Sequence, residues 1–97
     1  MRKSKLERYV GILENLARAR NFASQGAMEL TQLMQKTGLS KKVLKQRLNF
    51  LIQQNLVEEQ NLGKDAIFYV ITGRGVRVLN IVAPMISEAR KSQALLH

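Results

Sequence analysis

The stretch "LSKKVLKQRLNFLIQQNLV", residues 39–57, decides the fold. Its apolar residues Val43, Leu44, Leu48 and Leu51 recur at spacings of three and four, as on a helix with one buried stripe. Ser40 stands just ahead of the pattern. A hydroxyl there accepts a hydrogen bond from one of the first, otherwise unpaired N–H groups of a helix. Lys41, Lys42, Lys45, Gln46 and Asn49 fall together on the opposite face, while Arg47 lies toward the apolar side. No Asp or Glu occurs from Leu30 through Val57. A surface that need only stay soluble mixes both signs of charge. A face this one-sidedly basic is built to meet an anion.

Upstream, Thr37-Gly38 stops a shorter helix expected over about residues 29–36, with Leu30, Leu33 and Met34 facing inward. The stretch "NFASQGAM", 21–28, is polar with a glycine inside it, and reads as a connection with room for one short pair of strand residues. A first helix is expected over about 5–20. Ser4 and Glu7 have capping-box spacing there, and Leu6, Val10, Leu13, Leu16 and Ala17 form its apolar stripe.

Downstream, Asn55 follows the helix where a left-handed residue is wanted, a conformation asparagine tolerates. "VEEQ", 57–60, and "AIFYVI", 66–71, flank "NLGKD" as a β-hairpin, with Gly63 in the turn and Lys64 at the tip. Ile67, Tyr69 and Ile71 share one strand face, Phe68 and Val70 the other. Thr72 is placed to cap a final helix over about 73–95. Gly73 and Gly75 read as a bend where it opens. Pro84 removes the N–H that would bond the carbonyl of Asn80, so a kink or break is expected there.

The order is helix, helix, tight turn, helix, hairpin, helix. That is a winged helix-turn-helix, a mostly α (α+β) fold, and "TGLS" suits its helix–helix turn. In such an arrangement the second helix braces the third, which lies in the major groove of double-stranded DNA. Lys41, Lys42 and Lys45 then supply charge for phosphates beside the groove. Gln46 and Asn49 carry amides that both donate and accept, as reading a base edge requires. Ser40 joins this set at the start of the helix. Lys64 on the wing reaches adjacent backbone. Arg2, Lys3 and Lys5 form a candidate DNA-contacting arm.

"GAMELTQLMQKTGLSKKVLKQRLNFLIQQNLV" followed by "FYVITGRG" resembles the small archaeal winged-helix DNA-binding proteins. These include transcription regulators and a dimeric chromatin-associated branch with a long C-terminal helix. Leu39-Ser40 matches the pair that opens the recognition helix in that family. Asn55-Leu56-Val57 matches the element that closes it, with asparagine for the usual glycine. Ile71-Thr72-Gly73-Arg74-Gly75 matches the element after the wing, with isoleucine for leucine. The resemblance covers roughly residues 5–80. The chain is also similar to the broader multiple-antibiotic-resistance and PadR-like regulators.

Composition agrees with a polyanion partner: 16 Lys and Arg against 7 Asp and Glu give a net charge of +9 in 97 residues. With no cysteine, disulfides and thiolate metal sites are impossible. The only histidine is His97, and neither it nor the carboxylates have the spacing of a metal or catalytic site. Gly73 and Gly75 form a G-x-G without the strand–loop–helix setting of a nucleotide-binding fingerprint. The expectation is a protein that is not an enzyme and needs no cofactor or metal. The basic start "MRKSKLERYV" lacks the apolar core of a signal peptide, and "VLNIVAPMIS" is far shorter than a membrane span of about 20 residues. A cytoplasmic, nucleoid-associated protein without a membrane partner is expected.

The final helix carries Val76, Leu79, Val82, Ala83, Ile86 and Ala89 along one broad stripe, extended around it by Val78, Ile81 and Met85. A helix apolar over so much of its circumference is buried on more than one side. One side covers its own domain, and a second copy of the chain accounts for the other. Leu79, Val82, Ile86 and Ala89 are the expected seam of a two-fold homodimer. The division expected is a DNA-binding domain over 1–72 and a dimerisation helix over 73–97. The function expected is that of a DNA-binding transcription regulator. Against it stand an architectural protein of chromatin with little sequence preference, a protein–protein interaction module and an RNA binder. The sequence does not specify an operator, an effector or a direction of regulation.

Overall fold

The computed structural model of the chain describes residues 5–22, 27–61, 63 and 67–96, with side chains described for 7–20, 27–61, 63 and 67–88. Four helices and three short strands follow in the order α1 (Lys5–Phe22), β1 (Met28–Glu29), α2 (Leu30–Thr37), α3 (Lys41–Gln53), β2 (Val57–Asn61), β3 (Ile67–Ile71) and α4 (Gly73–Leu96). The strands form one antiparallel sheet in the order β1-β3-β2. This is the winged helix-turn-helix expected from the order of elements.

The local signals act where the sequence puts them. Gly38 adopts φ 72° and its N–H donates to the Met34 carbonyl at 2.9 Å, closing α2. Ser40 is extended, and its hydroxyl accepts from the Val43 N–H at 3.3 Å. Asn55 is the single described non-glycine residue with positive φ, at 61°. Glu29 ends β1 and caps α2, accepting from the third residue of the helix while its own N–H donates to Gln32 Oε1 at 3.0 Å. The two-residue strand β1 pairs Met28 with Tyr69 and Glu29 with Phe68, which ties the start of α2 to the hairpin.

The core draws on every element. Ile12 and Leu16 of α1, Leu33 of α2, and Leu44, Leu48 and Leu51 of α3 are fully buried together with Val57 of β2. Tyr69 and Ile71 point into the same cluster from β3, whereas Ile67 on the same strand face is exposed toward the hairpin tip. Ile12 lies outside the stripe expected for α1, because that helix is covered over a wider arc than one row of residues. Ser4, the expected cap of α1, lies outside the described residues.

Two expectations for α4 are corrected. Gly73 and Gly75 do not form a bend; both lie in the first turn of the helix. Gly75 is buried beneath the end of α3, where a Cβ would run into the Leu56 carbonyl oxygen and Ile71 Cγ1. A glycine is required there for close approach. Pro84 does not break the helix, which is continuous from Gly73 to Leu96. Ala83 and Ile86, on either side of it, both pack against the core and hold the helix to its course.

The junction between α3 and α4 is tied by hydrogen bonds. The Thr72 hydroxyl donates to the Asn55 carbonyl at 2.7 Å and accepts from the Gly75 N–H at 2.9 Å. Arg74 Nε donates to the Gln54 carbonyl at 3.1 Å, and the Thr72 N–H to the Leu56 carbonyl at 3.0 Å. Carbonyls of the turn after α3, at residues 54–56, are thus satisfied by Thr72 and Arg74.

Candidate nucleic-acid interface

Leu44, Leu48 and Leu51 seat α3 in the core and so determine which side chains it offers to solvent. At 100° per residue, Lys42, Gln46, Asn49 and Gln53 form one continuous stripe opposite those leucines. All four are exposed. Lys41 and Lys45 are exposed on one flank of the stripe; on the other lie Val43, Arg47 and Phe50. The structure therefore brings Lys41, Lys42, Lys45, Gln46 and Asn49 onto one solvent-facing surface.

Gln53 was missed by the sequence reading. It follows Asn49 by four residues and Gln46 by seven, so the helical spacing already marked it, but the polar face was ended too early. Phe50 was also missed. It is 43% exposed, and its ring stacks on Tyr9 of α1 with centroids 4.8 Å apart and a tilt of 39°. That pair fixes one edge of α3 to α1.

Ser40 sits at the rim of this surface. Its oxygen is engaged by the Val43 N–H, which leaves the hydroxyl hydrogen available to donate to an incoming acceptor. The α2–α3 turn is held by the Thr37 hydroxyl, which donates to the Leu33 carbonyl at 2.7 Å and accepts from the Leu39 N–H at 3.3 Å. Such a turn presents the start of α3 in one orientation.

The wing is the β2–β3 hairpin, in register from Val57 opposite Ile71 to Asn61 opposite Ile67. Burial raises the Tyr69 phenol above its ordinary range, and the neighbouring Glu59 carboxylate adds to that. The buried ring of Tyr69 packs β3 of the wing onto the core. Lys64 at the tip, Arg2 and Lys3 of the candidate arm, and the side chains of Lys5 and Ala89 lie outside what the structure describes.

The packing of the protomer bears on one residue of the seam expected on α4. Leu79 is only 7% exposed and belongs to the protomer's own core, and Val82, Ala83 and Ile86 are partly buried against it. Ile81 and Met85, each 65% exposed, project from a different side of the helix. Leucine at 79 faces inward because the side of α4 nearest α1 carries it together with Ala83 and Ile86. These line one wall of a cleft of about 580 Å³ whose other wall is Val10, Gly11 and Glu14 of α1. Nothing in the helical periodicity of α1 or α4 marks this cleft.

Among the described residues no helix is long and apolar enough to cross a membrane. Nor does any group of three or more His, Cys, Asp or Glu among them come together as a metal site.

A family model described as winged helix-turn-helix matches residues 2–90. AbsC, a MarR family transcriptional regulator from Streptomyces coelicolor, has a similar structure, with a TM-score of 0.70 and 26% identity over 89% of this chain. The match spans 57% of AbsC's own length. Diamide-treated YodB from B. subtilis matches with a TM-score of 0.62 and 21% identity over 94% of this chain and 95% of YodB. The reduced form of YodB, a transcriptional regulator, matches with a TM-score of 0.58 and 21% identity over 92% of each chain. At that identity the likeness to YodB concerns the fold alone. No curated protein sequence matches the chain.

Proposed function

Because the chain belongs to the winged helix-turn-helix family, we propose that it is a double-stranded DNA-binding transcription regulator that acts as a homodimer. Helix α3 enters the major groove, and the wing, through Lys64, rests on adjacent backbone. The observation that carries this reading is the outer stripe of α3. Lys42, Gln46, Asn49 and Gln53 are all exposed, no acid stands among them, and three amides face outward where a structural helix has no use for them. Amides at that face suit base edges, and the lysines suit the phosphates that flank them. The likeness to AbsC adds support for regulation of transcription.

The homodimer is inferred from α4. Residues 73–97 form the dimerisation helix of this reading and residues 1–72 its DNA-binding unit. The first half of α4 serves both, since Leu79 completes the core of the winged helix. The outward pair Ile81 and Met85, with partly buried Val78 beside them, extends the proposed seam of Val82, Ile86 and Ala89. A two-fold pairing there presents two copies of α3 to one DNA, with half-sites about one helical turn apart if the two helices stand about 34 Å apart.

Three exposed lysines on α3 and a net charge of +9 also fit an architectural protein of chromatin that grips backbone without reading sequence. Gel-shift binding to genomic fragments with an excess of random competitor DNA separates the two. A few surviving fragments mark a regulator. Uniform loss of all fragments marks the architectural protein, and no binding at low salt rejects both. An equal excess of RNA tests for a preference for RNA.

A further inference from the structure

Arg47 is a cation that the proposed reading frame of α3 leaves unused. It projects from the flank of α3 toward α1, and its Nη1 is fully buried with no hydrogen-bond partner among the described residues. Buried polar groups are nearly always paired, and a guanidinium cannot escape the cost by giving up its proton. The unpaired Nη1 leaves one buried donor of the guanidinium for an oxyanion, beside the Glu7 carboxylate that lines the same cleft.

The space beside it suits one. Arg47 lines a cleft of about 120 Å³ at the junction of α1, α2 and α3, together with Glu7, Arg8 and Asn15 of α1 and Lys36 and Thr37 of α2. Water occupies about 30 Å³ in the liquid, so the cleft has room for about four waters, or one tetrahedral oxyanion. Three cations face one carboxylate, leaving a formal surplus of two positive charges. Arg8 and Lys36 are exposed, so the cleft opens to solvent at their end, and Arg47 closes the inner end. The Thr37 hydroxyl is already committed to Leu33 and Leu39, and the Asn15 amide N–H donates to the Gly11 carbonyl at 2.8 Å. The Arg47 Nη1 supplies an inner donor that no group among the described residues uses.

We propose that this cleft is a binding site for a phosphate-sized oxyanion, held by Arg47 within and by Arg8 and Lys36 at the mouth. Charge-assisted hydrogen bonds from a guanidinium are directional and suit phosphate oxygens. The oxyanion comes either from a free anion in solution or from the backbone of bound DNA beside the flank of α3. The second source rests on the DNA-binding reading above; the first does not. An anion here would join all three helices of the helix-turn-helix unit at one point.

The test has two arms, both on the full chain. In the first, inorganic phosphate is titrated without DNA, followed by thermal unfolding and by NMR of the arginine side-chain nitrogens. A free-anion site raises the unfolding midpoint with phosphate concentration and moves the Arg47 resonances. In Arg47→Met, which keeps the length of the stem and removes the donors, phosphate affinity falls about tenfold or more. In the second arm, the salt dependence of DNA binding is compared between the wild type and Arg47→Met. A slope lower by about 0.9 in the variant, with no response to free phosphate, assigns the oxyanion to the DNA backbone. Lys36→Met, at an exposed position, repeats both arms should Arg47→Met fail to fold. Arg47 resonances unmoved by phosphate and by DNA overturn the proposal. So does phosphate binding of equal strength in the wild type and both variants, which would be an adventitious ion only.

Discussion

Helices α3 and α4 bury their inner faces in the same core but carry opposite outer faces. From α3, Leu44, Leu48 and Leu51 go inward, while Lys42, Gln46, Asn49 and Gln53 face out. From α4, Leu79 goes inward, while Ile81 and Met85 face out. The inner faces are interchangeable in kind, because a core asks only for apolar volume. The outer faces differ because a polar face is at no disadvantage in water, whereas exposed apolar area forgoes about 25 cal/mol per Å² until something covers it. The outer face of a helix thus carries the information about its partner: in the function proposed above, a hydrated polyanion for α3 and an apolar surface for α4.

The largest expected effect breaks the α3 side of this contrast. Replacing Lys41, Lys42 and Lys45 together by alanine leaves the circular dichroism and unfolding midpoint nearly unchanged, since all three are exposed. DNA affinity falls by orders of magnitude, and the log–log salt slope flattens by about 2.7 from three contacts at about 0.9 each. Unchanged binding in a folded triple variant would remove α3 from the interface.

The next breaks the α4 side. Leu79→Ala is expected to cost about 2–5 kcal/mol of stability in denaturant unfolding, as a leucine taken from a packed core does. Met85→Glu instead leaves the protomer folded and yields a monomer by light scattering, with weakened DNA binding. The sequence reading places Leu79 in the seam, so the two variants decide between the faces. A wild-type monomer at tens of micromolar would refute the dimer outright.

A finer test lies within the stripe of α3. Gln46→Ala, Asn49→Ala and Gln53→Ala are each expected to lose about 1–3 kcal/mol of discrimination between a preferred site and random DNA. Equal losses on both DNAs would make these amides backbone contacts. Smaller still is Ser40→Ala. It removes the cap of α3 at a cost of about 1 kcal/mol or less, given a hydrogen bond of 3.3 Å. The smallest effect concerns pH. Tyr69 has a raised pKa in the folded protein through burial and Glu59. Its stabilising contribution is complete below the ordinary phenol range and is lost as pH rises through the folded value. Tyr69→Phe should therefore flatten the alkaline limb of the stability profile measured by unfolding.

Much of this was legible in the sequence because its causes are local. Gly38 and Asn55 take left-handed backbone, Ser40 caps α3 and Thr72 caps α4, each governed by neighbours within four residues. The polar face of α3 was legible because a period of 3.6 fixes it. What escaped depends on contacts between distant residues. Room for a strand pair before α2 was legible, but not its partner: β1 pairs with β3, some forty positions later. Gly75 looks like a bend until Leu56 is placed above it. The rotation of α4 could not be read because apolar residues surround it, so periodicity gives no phase, and only α1 settles that Leu79 turns inward. Arg47 was legible as lying toward the apolar side, but its buried nitrogen was not.

The bond from the Thr72 hydroxyl to the Asn55 carbonyl closes a ring of chain across 17 positions, and Arg74 to Gln54 closes another across 20. The whole wing hangs inside that ring. An engineer or an evolving lineage can therefore lengthen the segment between Asn61 and Ile67 without altering the splice that joins α3 to α4. Doubling a flexible loop costs only about 0.6 kcal/mol. In the function proposed above, reach across the DNA and the angle between α3 and α4 are in this way inherited separately, and the wing is the part freest to diverge.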